Sequence, residues 1–320
     1  MDRTEFAKNL LKDEPWAPTP LLQAQAIGGA LGIDLWLKRE DCTPVGSFKL
    51  RGALVAMERQ GPGVPAAGVY VASAGNYGLA IATAGRRAGI GVTVFVPPGA
   101  TPSKLNRIRM CGSRVVEQGD DFDAAKDAAR SRARDDGAAF WEDGVITEMA
   151  DGAATIALEL LDHPEPWDAV LVPVGNGSLI KGVATEFKAR SPETRVVGLV
   201  STGAPAMAHA IQGRPWDEHA PVDTIADGLA VRVPIMSIAE EIGPLVDDVW
   251  LVDESLLIPA VRTLMEMEQV MAEPSAAINI AGLAEHKGQM AGKRVAAIIT
   301  GGHLSTSLLP EIASSKGLLG

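Results

Sequence analysis

Five short runs of β-branched and aliphatic residues, each closed by glycine or proline, constrain this chain more than any other feature. They are VYVASAGN from Val69, VTVFVPPG from Val92, DAVLVPVGNG from Asp168, RVVGLV from Arg195 and RVAAIITGG from Arg294. A strand that is apolar at every position has no face for water. It must be covered on both sides, as in a parallel sheet wrapped by helices. Apolar residues at helical spacing predict that cover at Leu79 to Ala88, Ala124 to Asp136, Ala153 to Leu161, Leu256 to Met271 and Ala276 to Lys287. The class is therefore α/β. The chain has 320 residues, and at about 150 per domain this implies two domains. Strand and helix alternate compactly from about Val71 to Phe140. That pattern predicts a smaller α/β domain, residues 61–147, inserted into a larger parallel-sheet domain made of 1–60 and 148–320. Such an architecture places a ligand in the cleft at the C-terminal ends of strands, where the glycine-rich turns lie.

Charge and cysteine content exclude several classes of function. Twenty-nine basic against 40 acidic residues give a net charge of −11, which opposes nucleic acid and anionic membrane surfaces. Only Cys42 and Cys111 occur, so neither a disulfide framework nor a cysteine metal site is expected, and the chain suits a reducing interior. The N-terminus, MDRTEFAKNLLKDEPW, is broken by charge where a signal peptide needs an apolar core. No apolar run is long enough to span a bilayer. A cytoplasmic protein is expected.

Four segments carry chemistry. In KREDCTPVGSFKLRGA, Lys38 to Ala53, Gly46 and Ser47 predict a turn and N-cap, with Lys49 in the first helical turn. A helix N-terminus disfavours a cation, which together with burial makes a lysine amine more nucleophilic, as a Schiff-base lysine must be. A solvated surface lysine is the alternative. In ASAGNYG, Ala72 to Gly78, small residues expose backbone N–H groups to an anion, unless the glycines serve only strand-to-helix packing. PVGNGSLIKG, Pro173 to Gly182, fits neither the dinucleotide fingerprint nor a nucleotide P-loop. It does suit a phosphate monoester at a helix start, where Ser178 adds a hydroxyl. The strand VAAIITGGH delivers Thr300 to the C-terminal edge of the sheet, and His303 beyond it lacks the pairing of a metal ligand.

Together these segments resemble the fold type II pyridoxal 5′-phosphate (PLP) enzymes, whose two-domain fold is that of the tryptophan synthase β subunit. The threonine/serine dehydratase branch is the most similar. Further anchors are TIALELL (Thr155 to Leu161), TIADGLAV (Thr224 to Val231), MAEPSAA (Met271 to Ala277) and ITGGH. The resemblance spans nearly the whole chain in family order.

It implies that Lys49 forms the Schiff base with PLP and acts as base at Cα. Phe48 packs beside the cofactor and Asn76 meets its 3′-oxygen. Ser73, Ala74, Gly75, Asn76 and Tyr77 receive the substrate carboxylate, while Gly175, Asn176, Gly177, Ser178 and Leu179 wrap the phosphate. Thr300 faces the pyridine nitrogen. A neutral hydroxyl there favours expulsion of a β-substituent over a long-lived carbanion. The implied reaction converts a small L-hydroxy amino acid, such as threonine or serine, to a 2-oxo acid and ammonia. The partners implied are a small amino acid and a second copy of the chain, with no metal.

Several residues depart from the family pattern. Tyr77-Gly78-Leu79 replaces the histidine and nearby glutamine that usually follow SAGN, and Asn176 and Ser178 interrupt the usual run of glycines. Both changes keep β-replacement, as in cysteine or diaminopropionate synthesis, as an alternative. Ala74 stands where serine racemases carry a second base, and Val200 where they carry a metal-binding glutamate. ADGAAT (Ala150 to Thr155) replaces a GQGT-like turn, and Glu273 is either a helix cap or a cofactor neighbour. No regulatory domain is expected after Gly320. A PLP-binding partner protein without turnover is a further alternative, and the missing fingerprint disfavours a nicotinamide enzyme.

Overall fold

A computed structural model describes residues 2–100 and 102–319. Ten strands occur among them: β1 (Leu21–Gln23), β2 (Asp34–Arg39), β3 (Val69–Ala72), β4 (Val92–Val96), β5 (Arg114–Glu117), β6 (Ala139–Phe140), β7 (Ala169–Pro173), β8 (Arg195–Ser201), β9 (Asp248–Val252) and β10 (Arg294–Ile299). The chain divides into two compact units, one of Met1–Leu11 with Lys49–Gly152 and one of Lys12–Phe48 with Ala153–Gly320. The smaller unit thus runs from Lys49, where 61–147 was expected, and takes in the N-terminal helix Arg3–Leu11. The boundary shifts because the helix Lys49–Gln60 packs on the helix Asn76–Ala88 of the same unit. Arg3 also ties the N-terminal helix to Asp151, its Nη2 lying 2.8 Å from Oδ2.

In the larger unit six strands lie in the order β1-β2-β10-β7-β8-β9, all parallel except the antiparallel β1-β2 pair. The period of two along each strand builds a core on both faces. Val295, Ala297 and Ile299 of β10, Leu171 of β7 and Val197 and Leu199 of β8 face one cluster with the helices Leu257–Glu268 and Pro274–Glu285. Ala296, Ile298, Val170, Val172, Val196 and Val200 face the other, against the helix Ser178–Arg190 and the segment from Ala153 to Leu160. Val200 is thereby a core residue. Strand β2 is different in kind, for it buries Lys38. Lys38 Nζ donates to Thr19 O at 2.7 Å and to Glu159, while Thr19 Oγ1 donates to buried Glu40 at 2.6 Å. A buried charge persists only with such partners.

The smaller unit holds four parallel strands in the order β5-β4-β3-β6. Tyr70, Ala72 and Phe95 pack there against Ala129 and Ala133 of the helix Phe122–Asp136. That helix is capped by Asp121, whose side chain accepts from Ala124 N–H, and ends at left-handed Gly137.

Three local expectations are corrected. The helix expected from Leu79 begins at Asn76, so the glycine-rich loop is itself the helix start. The helix expected to reach Met271 stops at Glu268, because Gln269 turns left-handed with φ 54°. Ser47 is not a cap: its Oγ is buried without a hydrogen-bond partner and its backbone bridges Gly301. Among the described residues no helix is long and apolar enough to cross a membrane.

Within the smaller unit, helix Lys49–Gln60 meets residues Thr147–Gly152 at a contact only glycines permit. A Cβ on Gly152 would lie 2.3 Å from Gly52 N. Gly152→Ala must therefore push backbone away from backbone, costing about 1–3 kcal/mol. The expected result is a lower urea midpoint with an unchanged slope; an unchanged midpoint would show that the contact is not tight.

Candidate active site

The smaller unit carries Lys49, Ser73, Ala74, Gly75, Asn76 and Tyr77, and its two helix starts bring Lys49 near Tyr77. Lys49 is the first residue of its helix. Ser73 follows β3 and is fixed there, its N–H donating to Phe95 O at 3.1 Å and its Oγ accepting from Gly75 N–H at 3.1 Å. Gly75 is the N-cap of the helix Asn76–Ala88, supplies no side-chain cap, and no acidic residue lies in the first turn. Backbone donors at such a start suit an anion.

The helix dipole disfavours a cation at position 49, and against that bias stands Asp143. Its Oδ1 and Oδ2 each lie 2.7 Å from Lys49 Nζ, and both side chains are less than one-fifth exposed. Nζ also sits 5.8 Å from the centroid of the Tyr77 ring. Tyr77 is buried and its hydroxyl has no hydrogen-bond partner. Burial, and then the charges of Asp143 and Glu142, hold its phenol proton on well above the usual tyrosine range. Tyr77 thus stays a neutral phenol beside Lys49. Asp143 was not foreseen, because it lies in an irregular segment after the two-residue β6 and no periodicity marks it.

The larger unit carries Phe48, Gly175, Asn176, Gly177, Ser178, Leu179 and Thr300. Strand β7 delivers the loop, and the helix Ser178–Arg190 starts directly behind it. Gly177 adopts φ 92° as N-cap, a conformation open to glycine, and offers no side chain to the first helical N–H groups. Ser178, Leu179 and Ile180 of that first turn are buried. Gly175 is pressed so closely on Gly228 that a Cβ would come within 2.3 Å of its carbonyl oxygen. A buried helix start without a side-chain cap or acidic first turn fits a phosphate dianion, so these residues suit the phosphate of the cofactor.

Thr300 follows β10 and is buried. Its carbonyl accepts from Phe48 N–H at 3.0 Å, Gly302 N–H donates to Gly46 O at 3.0 Å, and Glu273 N–H donates to Gly301 O at 3.1 Å. Asn279, fully buried, donates to Ile298 O one turn of the ladder earlier at 2.8 Å. The strand end is therefore pinned from both flanks. Phe48 packs against the apolar cluster on one sheet face. The imidazole of His303 rests on Gly46, where a Cβ would lie 2.8 Å from Nε2.

A family model described as "Pyridoxal-phosphate dependent enzyme" matches residues 13–301. The chain is 32% identical over 309 residues to an L-threonine ammonia-lyase of Thermotoga maritima, covering 94% of this chain and 75% of that protein. The structure is similar to that of the processed form of threonine deaminase isoform 2 from Solanum lycopersicum, at TM-score 0.84 and 30% identity, covering 96% of this chain and 92% of that one. It is also similar to maize serine racemase, at TM-score 0.86 and 27% identity, covering 97% and 95%.

Tyr70 resists ionisation as well, because its hydroxyl donates to Asp136 at 2.7 Å and burial adds to the effect. The chain's two tyrosines are thus both raised when folded. Their contribution to stability is intact below the unfolded value of about 10 and is lost as pH climbs toward the folded values. Ultraviolet titration is expected to show little tyrosinate in the folded protein at about pH 10, and both phenols ionising there in urea. Full ionisation of both at that pH in the folded state would contradict the burial of Tyr77.

Proposed function

The chain belongs to the pyridoxal-phosphate dependent enzymes, and from that premise we propose that it eliminates the β-substituent of a small L-hydroxy amino acid, threonine or serine, giving a 2-oxo acid and ammonia. Similarity to a threonine ammonia-lyase supports the substrate class. The observation that carries the reaction type is Thr300, a neutral hydroxyl residue held at the end of the buried strand β10. When bound, the cofactor supplies an electron sink that acidifies the hydrogen at Cα.

The residues then divide the work. In this reading the larger unit is the cofactor-binding domain: Gly175, Asn176, Gly177, Ser178 and Leu179 would hold the phosphate, Phe48 would cover the ring and Thr300 would meet its nitrogen without adding charge. Lys49 would be the covalent attachment point and, once released by the substrate amine, the base that removes the Cα proton. Asn76 would orient the ring oxygen, and the backbone from Ser73 to Tyr77 would hold the substrate carboxylate. With the carboxylate and amine both fixed, the Cα–H bond is held for attack by one amine. The β-hydroxyl, once protonated, would leave as water, and the released enamine would hydrolyse to a 2-oxo acid and ammonia.

The interrupted glycine loop favours one second reading, β-replacement, in which an external nucleophile adds at Cβ. A homodimer in the cytoplasm completes the proposal, in keeping with free Cys42 and Cys111.

Purified, cofactor-loaded protein offered L-threonine, L-serine and O-activated serines is expected to release 2-oxo acid without any added nucleophile. Product only when a thiol or amine is supplied would favour replacement instead, and silence on every β-substituted amino acid would reject both. Lys49→Ala is expected to lower kcat at least about a thousandfold, the loss of base and attachment point together. Retention of wild-type turnover would reject the role of Lys49.

A further inference from the structure

We propose that Asp143 is a positioning residue for Lys49: its carboxylate holds the lysine amine and stabilises the positive charge that amine acquires on taking up a proton. The inference rests on the role given to Lys49 above. Its basis is the geometry of the smaller unit. Both carboxylate oxygens of Asp143 lie 2.7 Å from Nζ, and Tyr77 forms an apolar floor beside the amine. Two-point contact with one carboxylate restricts an otherwise flexible four-carbon stem.

The segment that carries Asp143 is itself held in place. Neighbouring Glu142 pairs with Arg130 at 2.9 Å and with Lys126 at 3.4 Å, both from the helix Phe122–Asp136. The Glu142 carbonyl accepts from Val145 and Ile146 N–H, each at 3.1 Å, closing a turn around Asp143. The Asp143 carboxylate is thus presented by an anchored turn.

A carboxylate binds an ammonium strongly and a neutral amine weakly. It therefore acts on Lys49 in opposite senses at two points. When Lys49 removes a proton, the Cα–H bond breaks, an N–H bond forms at Nζ and the electron pair stays with carbon. The new ammonium meets Asp143 as it forms, much as an imidazolium is stabilised by the aspartate behind it in a hydrolase triad. When Lys49 instead attacks the aldehyde of the cofactor, a C–N bond forms and water leaves with the carbonyl oxygen. For that attack the amine must first shed its proton and leave the carboxylate. Asp143 should thus speed proton removal and slow cofactor attachment. A residue that merely props the fold would change both in the same direction.

Asp143→Asn and Asp143→Ser, with Asp143→Glu as the conservative variant, separate these cases. Two measurements are needed: the rate at which cofactor-stripped protein acquires a borohydride-stable adduct on the Lys49 peptide, and kcat, KM and the α-deuterium isotope effect of loaded protein with L-threonine or L-serine. Loss of a charged hydrogen bond predicts, in both neutral variants, attachment about tenfold faster and kcat about tenfold to a hundredfold lower. KM should change little and the isotope effect should rise, while Asp143→Glu recovers part of each change. Attachment and kcat falling together, or neither changing, would overturn the role of Asp143 and leave Lys49 in place. Absence of any adduct on the wild-type Lys49 peptide would instead remove the lysine assignment, and this inference with it.

Discussion

The larger unit depends on a helix that begins inside the protein. The first turn of Ser178–Arg190 is buried, Gly177 leaves it without a side-chain cap, and that turn holds no acidic residue. Helix N-termini carry partial positive charge and outward N–H groups, which a protein interior does not tolerate without an acceptor. The fold produces this arrangement by running β7 through the centre of the sheet and turning at Gly175 against Gly228, where a side chain would collide. In the proposed reading, the phosphate of the cofactor would supply that acceptor and turn the cost into binding energy.

Thr300 shows how the sheet controls chemistry without a charged group. The backbone on either side of it is tied to Phe48, Gly46 and Glu273, and Asn279 holds the strand from beneath. A strand end fixed in this way holds the backbone of Thr300 in one place. In the proposed reading, a neutral group at the ring nitrogen would limit how long the carbanion is stabilised and so favour departure of a β-group.

Much of this was legible in the residues alone. The five uniformly apolar runs became strands because burial on both faces leaves no room for polar alternation, and β7 and β10 show it residue by residue. What escaped was decided by tertiary partners. Strand β2 contains Lys38, and only Glu159 and Thr19, distant in sequence, make its burial tolerable. Strand β5 has exposed ends and β6 has two residues, so neither carries a pattern long enough to read. Ser47 had the chemistry of a cap but went to a bridge with Gly301, because the chain needed a backbone partner there. The candidate residues themselves were readable from their glycine-rich settings, whereas Asp143 was not. Its position opposite Lys49 follows from a turn held by Arg130 and Lys126, information that resides in three dimensions.

Phosphorus-31 NMR of the protein loaded with pyridoxal phosphate tests the buried helix start most directly. Bound there as a dianion, the ester should give one resonance whose shift stays constant across the window around about pH 6 in which a free phosphate monoester titrates. A resonance that moves with pH as the free ester does would show that the phosphate is not held at Gly175 to Leu179.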